Sequence, residues 1–199
     1  MRLGVFGGTF DPIHIGHLVI AQVALEEAGL DQVLFVPAGV NPLKVGKAAT
    51  PGEHRLAMVK LAIAGTPQFA VTDWELRRDG PSYTALTLAY IREQHPDDEL
   101  FLIIGADNLE ILPNWRDVER IAELATILAL TRPGTDLQAS AAAAGAQLAG
   151  LRSRIRLVEI PGLDISSTWL RDRLVKNRSV AHLLPAEVIG YCKENKLYE

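Results

Sequence analysis

The sequence predicts an α/β fold: a doubly wound parallel sheet with helices on both faces. Three observations lead there. Short, nearly unbroken apolar runs at Gln32–Pro37, Glu99–Ile104 and Thr126–Leu130 read as strands buried on both sides. They alternate with segments of helical length and period. The first apolar run ends in Gly7-Gly8, and sheets of this class bind ligands just outside the carboxyl ends of their strands. The 199 residues suffice for one domain over 1–199, with the last helices, about 166–199, packed on it.

Taken in order, a strand starting at Met1 turns through the paired glycines and enters a helix from His17 to Ala28, closed by Gly29. Its apolar set is Leu18, Ala21, Gln22 and Leu25. Gln32–Pro37 completes a βαβ unit. The loop from Ala38 to Pro51 is long enough to invite a substrate role and carries Lys44 and Lys47. A helix from Gly52 to Ala64 follows, with Arg55 near its start, facing a ligand or pairing with Glu53. Phe69–Thr72 reads as a strand, and Trp74–Arg78 alternates like an exposed edge. Ser82 is a natural N-cap for a helix reaching Gln94. After Glu99–Ile104 and Thr126–Leu130, an Ala-rich segment from Leu137 to Leu148 reads as helix. Ile155–Ile160 is the last strand. Helices then open at the Ser166-Ser167-Thr168 cluster and at Pro185. The first strand and Glu99–Ile104 are expected to be neighbours at the point where strand order reverses.

Bulk properties narrow the function. The formal charge of −4 argues against broad electrostatic binding to nucleic acid, so positive charge for an anionic ligand must be local. No apolar run is long enough to cross a bilayer. The one cysteine, Cys192, lies in a helical pattern, has no internal partner for a disulfide and fits a reducing compartment. Met1 runs directly into the first strand, so no signal peptide is expected. The sequence leaves room for a homo-oligomer.

The chemistry concentrates at Gly7-Gly8-Thr9-Phe10-Asp11-Pro12-Ile13-His14-Ile15-Gly16-His17. A strand, a glycine turn and a helix start together offer backbone N–H groups and a dipole that favour an anion. Glycine lets the backbone approach a ligand closely. His14 and His17, three apart, share a helix face, and both rings can donate to one polyphosphate. The turn lacks the G-x-G-x-x-G of dinucleotide sites. Gly46-Lys47 is followed by Ala48, which excludes a P-loop. A metal reading of the two histidines lacks a third ligand at useful spacing. The plain alternative is an ordinary turn followed by a solvated helix face.

Four further segments have two readings each. Gly105-Ala106-Asp107 suggests ribose or phosphate contacts at a strand end, or a helix cap. Trp115 is a core anchor or a stacking surface. Ser82 and Thr84 cap a helix, or the N–H groups there bind a small carboxylate. Ser167 and Arg171 at another helix start form a second anion site, or a cap with a surface arginine.

The motif at 7–17 resembles the signature of the H-x-G-H nucleotidyltransferase superfamily. Together with Pro81-Ser82-Tyr83-Thr84, Gly105-Ala106-Asp107, Trp115-Arg116, Arg132-Pro133-Gly134 and Ile165-Ser166-Ser167-Thr168, it is similar, over almost the whole chain, to bacterial nicotinate-nucleotide adenylyltransferases. The resemblance implies a Rossmann-like sheet of the nucleotidyltransferase type. It also implies adenylyl transfer from ATP to nicotinate mononucleotide, giving nicotinate adenine dinucleotide (deamido-NAD) and pyrophosphate in cytoplasmic NAD biosynthesis. These two small molecules are then the partners, with Mg²⁺ carried by ATP. His14, His17, Lys44 and Arg171 are the implied catalytic residues. ATP contacts fall to Gly7, Gly8, Thr9, Phe10, His14, His17, Gly105, Asp107, Arg132, Ile165, Ser166, Ser167 and Arg171, with Ser167 capping the pyrophosphate. Nicotinate mononucleotide contacts fall to Gly8, Lys44, Ser82, Tyr83, Thr84, Asp107 and Trp115. Here Asn41-Pro42-Leu43-Lys44 departs from the paired prolines and histidine usual before that lysine, so only the lysine carries over.

Overall fold

β-Branched and large apolar residues occur at every position of the central runs, not at alternate ones, and such runs are stable only when both faces are covered. The computed structural model, which describes residues 1–40, 49–105, 108–109, 111–131 and 151–199, has that arrangement. Its strands are β1 (Arg2–Gly8), β2 (Gln32–Pro37), β3 (Phe69–Val71), β4 (Glu99–Gly105), β5 (Thr126–Thr131) and β6 (Ile155–Glu159). They form one sheet in the order β3-β2-β1-β4-β5-β6, and every neighbouring pair is parallel. β1 pairs with β4 with Val5 opposite Leu102, so the expected reversal of strand order is found between them. The fold is α/β, a Rossmann-like doubly wound parallel sheet.

Alternate residues of each strand enter opposite cores. Phe6, Phe101, Ile103, Leu128 and Leu130 join the core beneath α1 (Ile15–Glu27), α2 (Gly52–Ile63), α5 (Ser167–Val175) and α6 (Ala186–Glu194). Leu3, Val5, Leu100, Leu102, Ile104, Ile127 and Ala129 join the other, beneath α3 (Thr84–Gln94) and α4 (Val118–Leu124). Val188 and Cys192 of α6 are buried, and the Cys192 thiol lies 3.6 Å from the Met58 sulfur of α2. Burial raises the Cys192 pKa to about 11.

Several expectations need correcting. The first helix starts at Ile15, so His17 lies inside its first turn and His14 is the N-cap. Gln22 is exposed, and Ala21 and Ala24 face the core. Trp74–Arg77 is a 3₁₀ turn, not an edge strand, because burying Glu75 against Thr87 overrides the alternation. Ser82 is not the cap of α3; Tyr83 holds that place, and the Ser82 hydroxyl accepts from Gly39 N–H at 3.0 Å. The helix α4 was not foreseen. Lys44, Lys47, Ala106, Asp107, Arg132 and the Ala-rich segment fall outside the described residues.

Candidate active site

The site is built where β1 and β4 end side by side. A cavity of about 580 Å³ opens there, floored by Val5–Gly8 of β1 and Leu102–Gly105 of β4. One wall is Gly7, Gly8, Thr9, Phe10 and His17. The other is Ser82, Tyr83, Thr84, Thr87, Asn114, Trp115 and Arg116, with Glu75 and Ala38 between.

On the first wall, no described atom lies within 4 Å of where a Cβ on Gly7 would stand. Gly7 therefore faces open space, and a ligand can approach its backbone. A Cβ on Gly8 would stand 2.8 Å from the Phe10 ring. Phe10 has φ 51°, a left-handed conformation that costs a non-glycine residue roughly 1–3 kcal/mol. It is held there by burying its ring edge-on against Phe6 and tilted against Phe35.

The two histidines differ. Their rings stack with centroids 3.7 Å apart, but His17 lines the cavity while His14 is buried, 5% exposed. The His14 backbone N–H donates to His17 Nδ1 at 3.2 Å. That bond makes Nδ1 the acceptor, which assigns the His17 proton to Nε2. Burial pulls the His14 pKa down to about 4, and its Nδ1 has no hydrogen-bond partner among the described residues. The N-terminus of α1 is less open than the sequence suggests, because Ile15 N–H donates to Leu183 O and the N–H groups of His17 and Leu18 donate to His14 O.

The loop from Thr9 to Pro12 is fastened from behind. Arg55, only 3% exposed, donates from Nη1 to Thr9 O at 2.8 Å and from Nε to Thr50 O at 2.9 Å. It thus faces neither ligand nor Glu53. Arg171 Nη1 donates to Asp11 O at 2.6 Å, and Ser167 Oγ to Pro12 O at 3.0 Å. The Ser167 proton is therefore directed at the loop, and Ser166 caps α5 by accepting from Trp169 N–H. The buried Asp11 carboxylate accepts from Tyr198 Oη at 2.6 Å and from Thr50 N–H at 3.3 Å, with Arg171 at 3.8 Å. Burial and the bond to Asp11 raise the Tyr198 pKa, keeping the phenol protonated. Ser167 and Arg171 lie at this loop, and neither they nor Ile165 and Ser166 are among the cavity-lining residues.

On the second wall, α3 starts without a side-chain cap. Arg116 stacks its guanidinium 4.7 Å from the centre of the Tyr83 ring. Trp115 Nε1 is buried without a hydrogen-bond partner among the described residues. Glu75 accepts from the Thr87 hydroxyl. Sequence reasoning does not single out Glu75 or Tyr198, and it names Arg55 without its partners Thr9 and Thr50. Arg55 at a helix start next to the loop offered a weak signal, and Tyr198, 187 residues from Asp11, offered none.

This geometry suits a polyphosphate on the first wall and a flat ring bearing an anion on the second. Comparisons with known proteins agree. The model of the cytidylyltransferase-like family matches residues 5–173. A "probable nicotinate-nucleotide adenylyltransferase" of Roseiflexus sp. is 46% identical over 98% of this chain and 97% of its own. One of the same name from Symbiobacterium thermophilum is 44% identical over 99% and 95%. The fold matches a nicotinic acid mononucleotide adenylyltransferase of Plasmodium falciparum, solved in complex with NaAD, with TM-score 0.80, 20% identity and coverage of 99% and 97%. The chain belongs to the cytidylyltransferase-like nucleotidyltransferases, within the group of nicotinate-nucleotide adenylyltransferases.

Proposed function

We propose that the protein transfers the adenylyl group of ATP to nicotinate mononucleotide, yielding deamido-NAD and pyrophosphate, a step of NAD biosynthesis. The observation that carries this reading is one cavity with two unlike walls, a glycine and histidine cradle facing a helix start with Trp115. In the reaction, a phosphate oxygen of the mononucleotide attacks the α-phosphorus of ATP in line. The new P–O bond forms as the bond to the β-phosphate bridging oxygen breaks, and pyrophosphate leaves. No enzyme nucleophile is needed; the protein positions the reactants and stabilises developing charge.

Gly7, Gly8, Thr9 and Phe10 offer backbone to the triphosphate, and His17 donates from Nε2 to its oxygens. His14 backs His17 by stacking and acts on the phosphates through it. Lys44, Gly105, Asp107 and Arg132 complete the nucleotide side, Arg171 and the segment 165–167 serve it through the loop that Arg171 and Ser167 hold, and Ser82–Thr84 with Trp115 hold the nicotinate mononucleotide. The uncapped start of α3 presents N–H donors and a positive dipole end, which suit a carboxylate and leave a carboxamide NH₂ facing donors. Trp115 offers its face to the ring.

Among the described residues, no three His, Cys, Asp or Glu side chains converge. The donors on the cradle wall suit phosphate oxygens, so Mg²⁺ is assigned to the triphosphate itself. Bound there, it neutralises charge on the leaving pyrophosphate. Titrating the nucleotide-free protein with Mg²⁺ in a calorimeter is expected to reveal no tight site. No helix among the described residues is long and apolar enough to cross a membrane. The reduced, buried Cys192 supports a cytoplasmic setting, and the whole of 1–199 is read as one catalytic unit.

The test is kcat/KM for nicotinate mononucleotide and nicotinamide mononucleotide at fixed Mg²⁺–ATP. Mismatched donors in a closed pocket cost about 1–3 kcal/mol each, so a preference for the acid of roughly a hundredfold is expected. Equal values, or preference for the amide, would overturn the acceptor assignment and leave adenylyl transfer standing.

A further inference from the structure

The loop between β1 and α1 makes no ladder of its own, yet it carries the cradle. A planar trans peptide points its C=O and its N–H in opposite directions. Fixing the Thr9 carbonyl therefore fixes the Phe10 N–H that leaves the same peptide on the other side. Thr9 and Phe10 line the cavity, whereas the group on Thr9 O is the buried Arg55 of α2. Asp11 is fixed twice over, through its carbonyl by Arg171 and through its buried carboxylate by Tyr198, with Thr50 N–H as a further donor. Arg55 also bonds Thr50 O, so Arg55, Thr50, Asp11 and Tyr198 form one connected set behind the loop. A buried carboxylate and a buried guanidinium persist only where such bonds satisfy them. None of the four side chains lines the cavity.

We propose that Tyr198 and Arg55 are positioning residues for the nucleotide: they set the direction of the Thr9–Phe10 backbone through Asp11 and Thr9, and so the affinity for the triphosphate. The inference rests on the reading of Gly7–Phe10 as the triphosphate cradle. It separates the residues that touch phosphate from those that aim the backbone. It also predicts an effect confined to one substrate, since the second wall is held by other bonds, Gly39 N–H to Ser82 Oγ and Ser82 N–H to Val40 O.

The test uses the full chain, Mg²⁺–ATP and nicotinate mononucleotide, with the affinity and KM of each substrate measured separately. Tyr198→Phe keeps the ring and removes the hydroxyl. Its ATP affinity is expected to fall roughly tenfold, the scale of one hydrogen bond to a charged group. KM for the mononucleotide should stay within about twofold of the parent. Arg55→Lys keeps the charge but cannot bridge Thr9 O and Thr50 O in the same fork, and it should show the same one-sided loss. Unchanged ATP affinity in Tyr198→Phe, or equal loss for both substrates, overturns the proposal, since general loosening would affect both walls. Gly7→Val separates the underlying reading, because its side chain would enter the open space in front of the cradle. Undiminished ATP affinity there would bring down the cradle and this inference together. Strong loss in Gly7→Val with none in Tyr198→Phe would remove only the positioning role.

Discussion

The two walls of the cavity are held in different ways. The cradle wall is a loop fixed by donors far away in sequence: Arg171, 160 residues from Asp11, Ser167, 155 from Pro12, and Tyr198, 187 from Asp11. The second wall lacks such contacts from the chain's end among the described residues and is knitted from strand ends and turns, with Val40 bridging Pro81 and Arg116 lying over Tyr83. Among the described residues, His14 Nδ1 behind the first wall and Trp115 Nε1 on the second are buried without a hydrogen-bond partner. On the proposed reading the difference divides the work: the phosphate side is held in part by contacts from the last third of the chain, and the acceptor side by contacts among strand ends and turns.

The largest expected break in that division is His17→Ala. Removing one donor aimed at developing charge costs about 10²–10³-fold in kcat. ATP affinity should change far less, and KM for the mononucleotide should hold. Steady-state kinetics of the folded variant checks this, and near-parental turnover would exclude His17 from the mechanism.

The second concerns His14 and pH. Its folded pKa of about 4 lies below the ordinary 6.5, so between those values the unfolded chain binds the extra proton. Its contribution is present in full above about pH 6.5 and is lost as pH falls toward 4. The scale is at most about 3 kcal/mol, at about 1.36 kcal/mol per unit. In His14→Gln that share of the pH dependence should vanish. Thermal melts of both proteins from pH 7 to 4 should therefore converge as the pH falls, and parallel curves would contradict the buried, neutral state.

On the acceptor wall, Trp115→Ala removes a stacking face. Loss of base stacking is worth roughly 1–3 kcal/mol, so both mononucleotides should bind about ten- to a hundredfold more weakly, with KM for ATP unmoved. A matching loss for ATP would show that the walls are coupled. The smallest effect is expected from Thr84→Ala. If backbone N–H groups read the carboxylate, the ratio of kcat/KM for acid over amide should stay within about threefold of the parent. Collapse of that ratio would assign the reading to the Thr84 hydroxyl.

What the sequence made legible was whatever depends on neighbours. Continuous apolar runs located the strands, and the glycine pair with His17 lies where the cavity opens. What it hid depends on distant partners. Trp74–Arg77 alternates like a strand, but Glu75 is buried against Thr87, twelve residues on. Ser82 has the chemistry of a cap, but its hydroxyl serves Gly39. The helix α4 begins after Asp117 in a left-handed conformation, φ 53°, without a side-chain cap to announce it. Arg171 and Ser167 at a helix start admit an anion site or a cap with a surface arginine, and nothing beside them in sequence chooses between the two. Only the fold shows that loop carbonyls already engage them.

The buried Cys192 gives the molecule a built-in chronometer. Its thiol touches Met58 on the helix that carries Arg55, and its burial leaves almost no thiolate at neutral pH. Alkylating reagents can reach the sulfur only when the packing over it opens, so at reagent concentrations where labelling outpaces closing the rate counts those openings. With the chain's one cysteine as the clock, no probe need be engineered. Slowing of the clock on adding nucleotide would time how firmly an occupied cradle grips the packing two layers behind it.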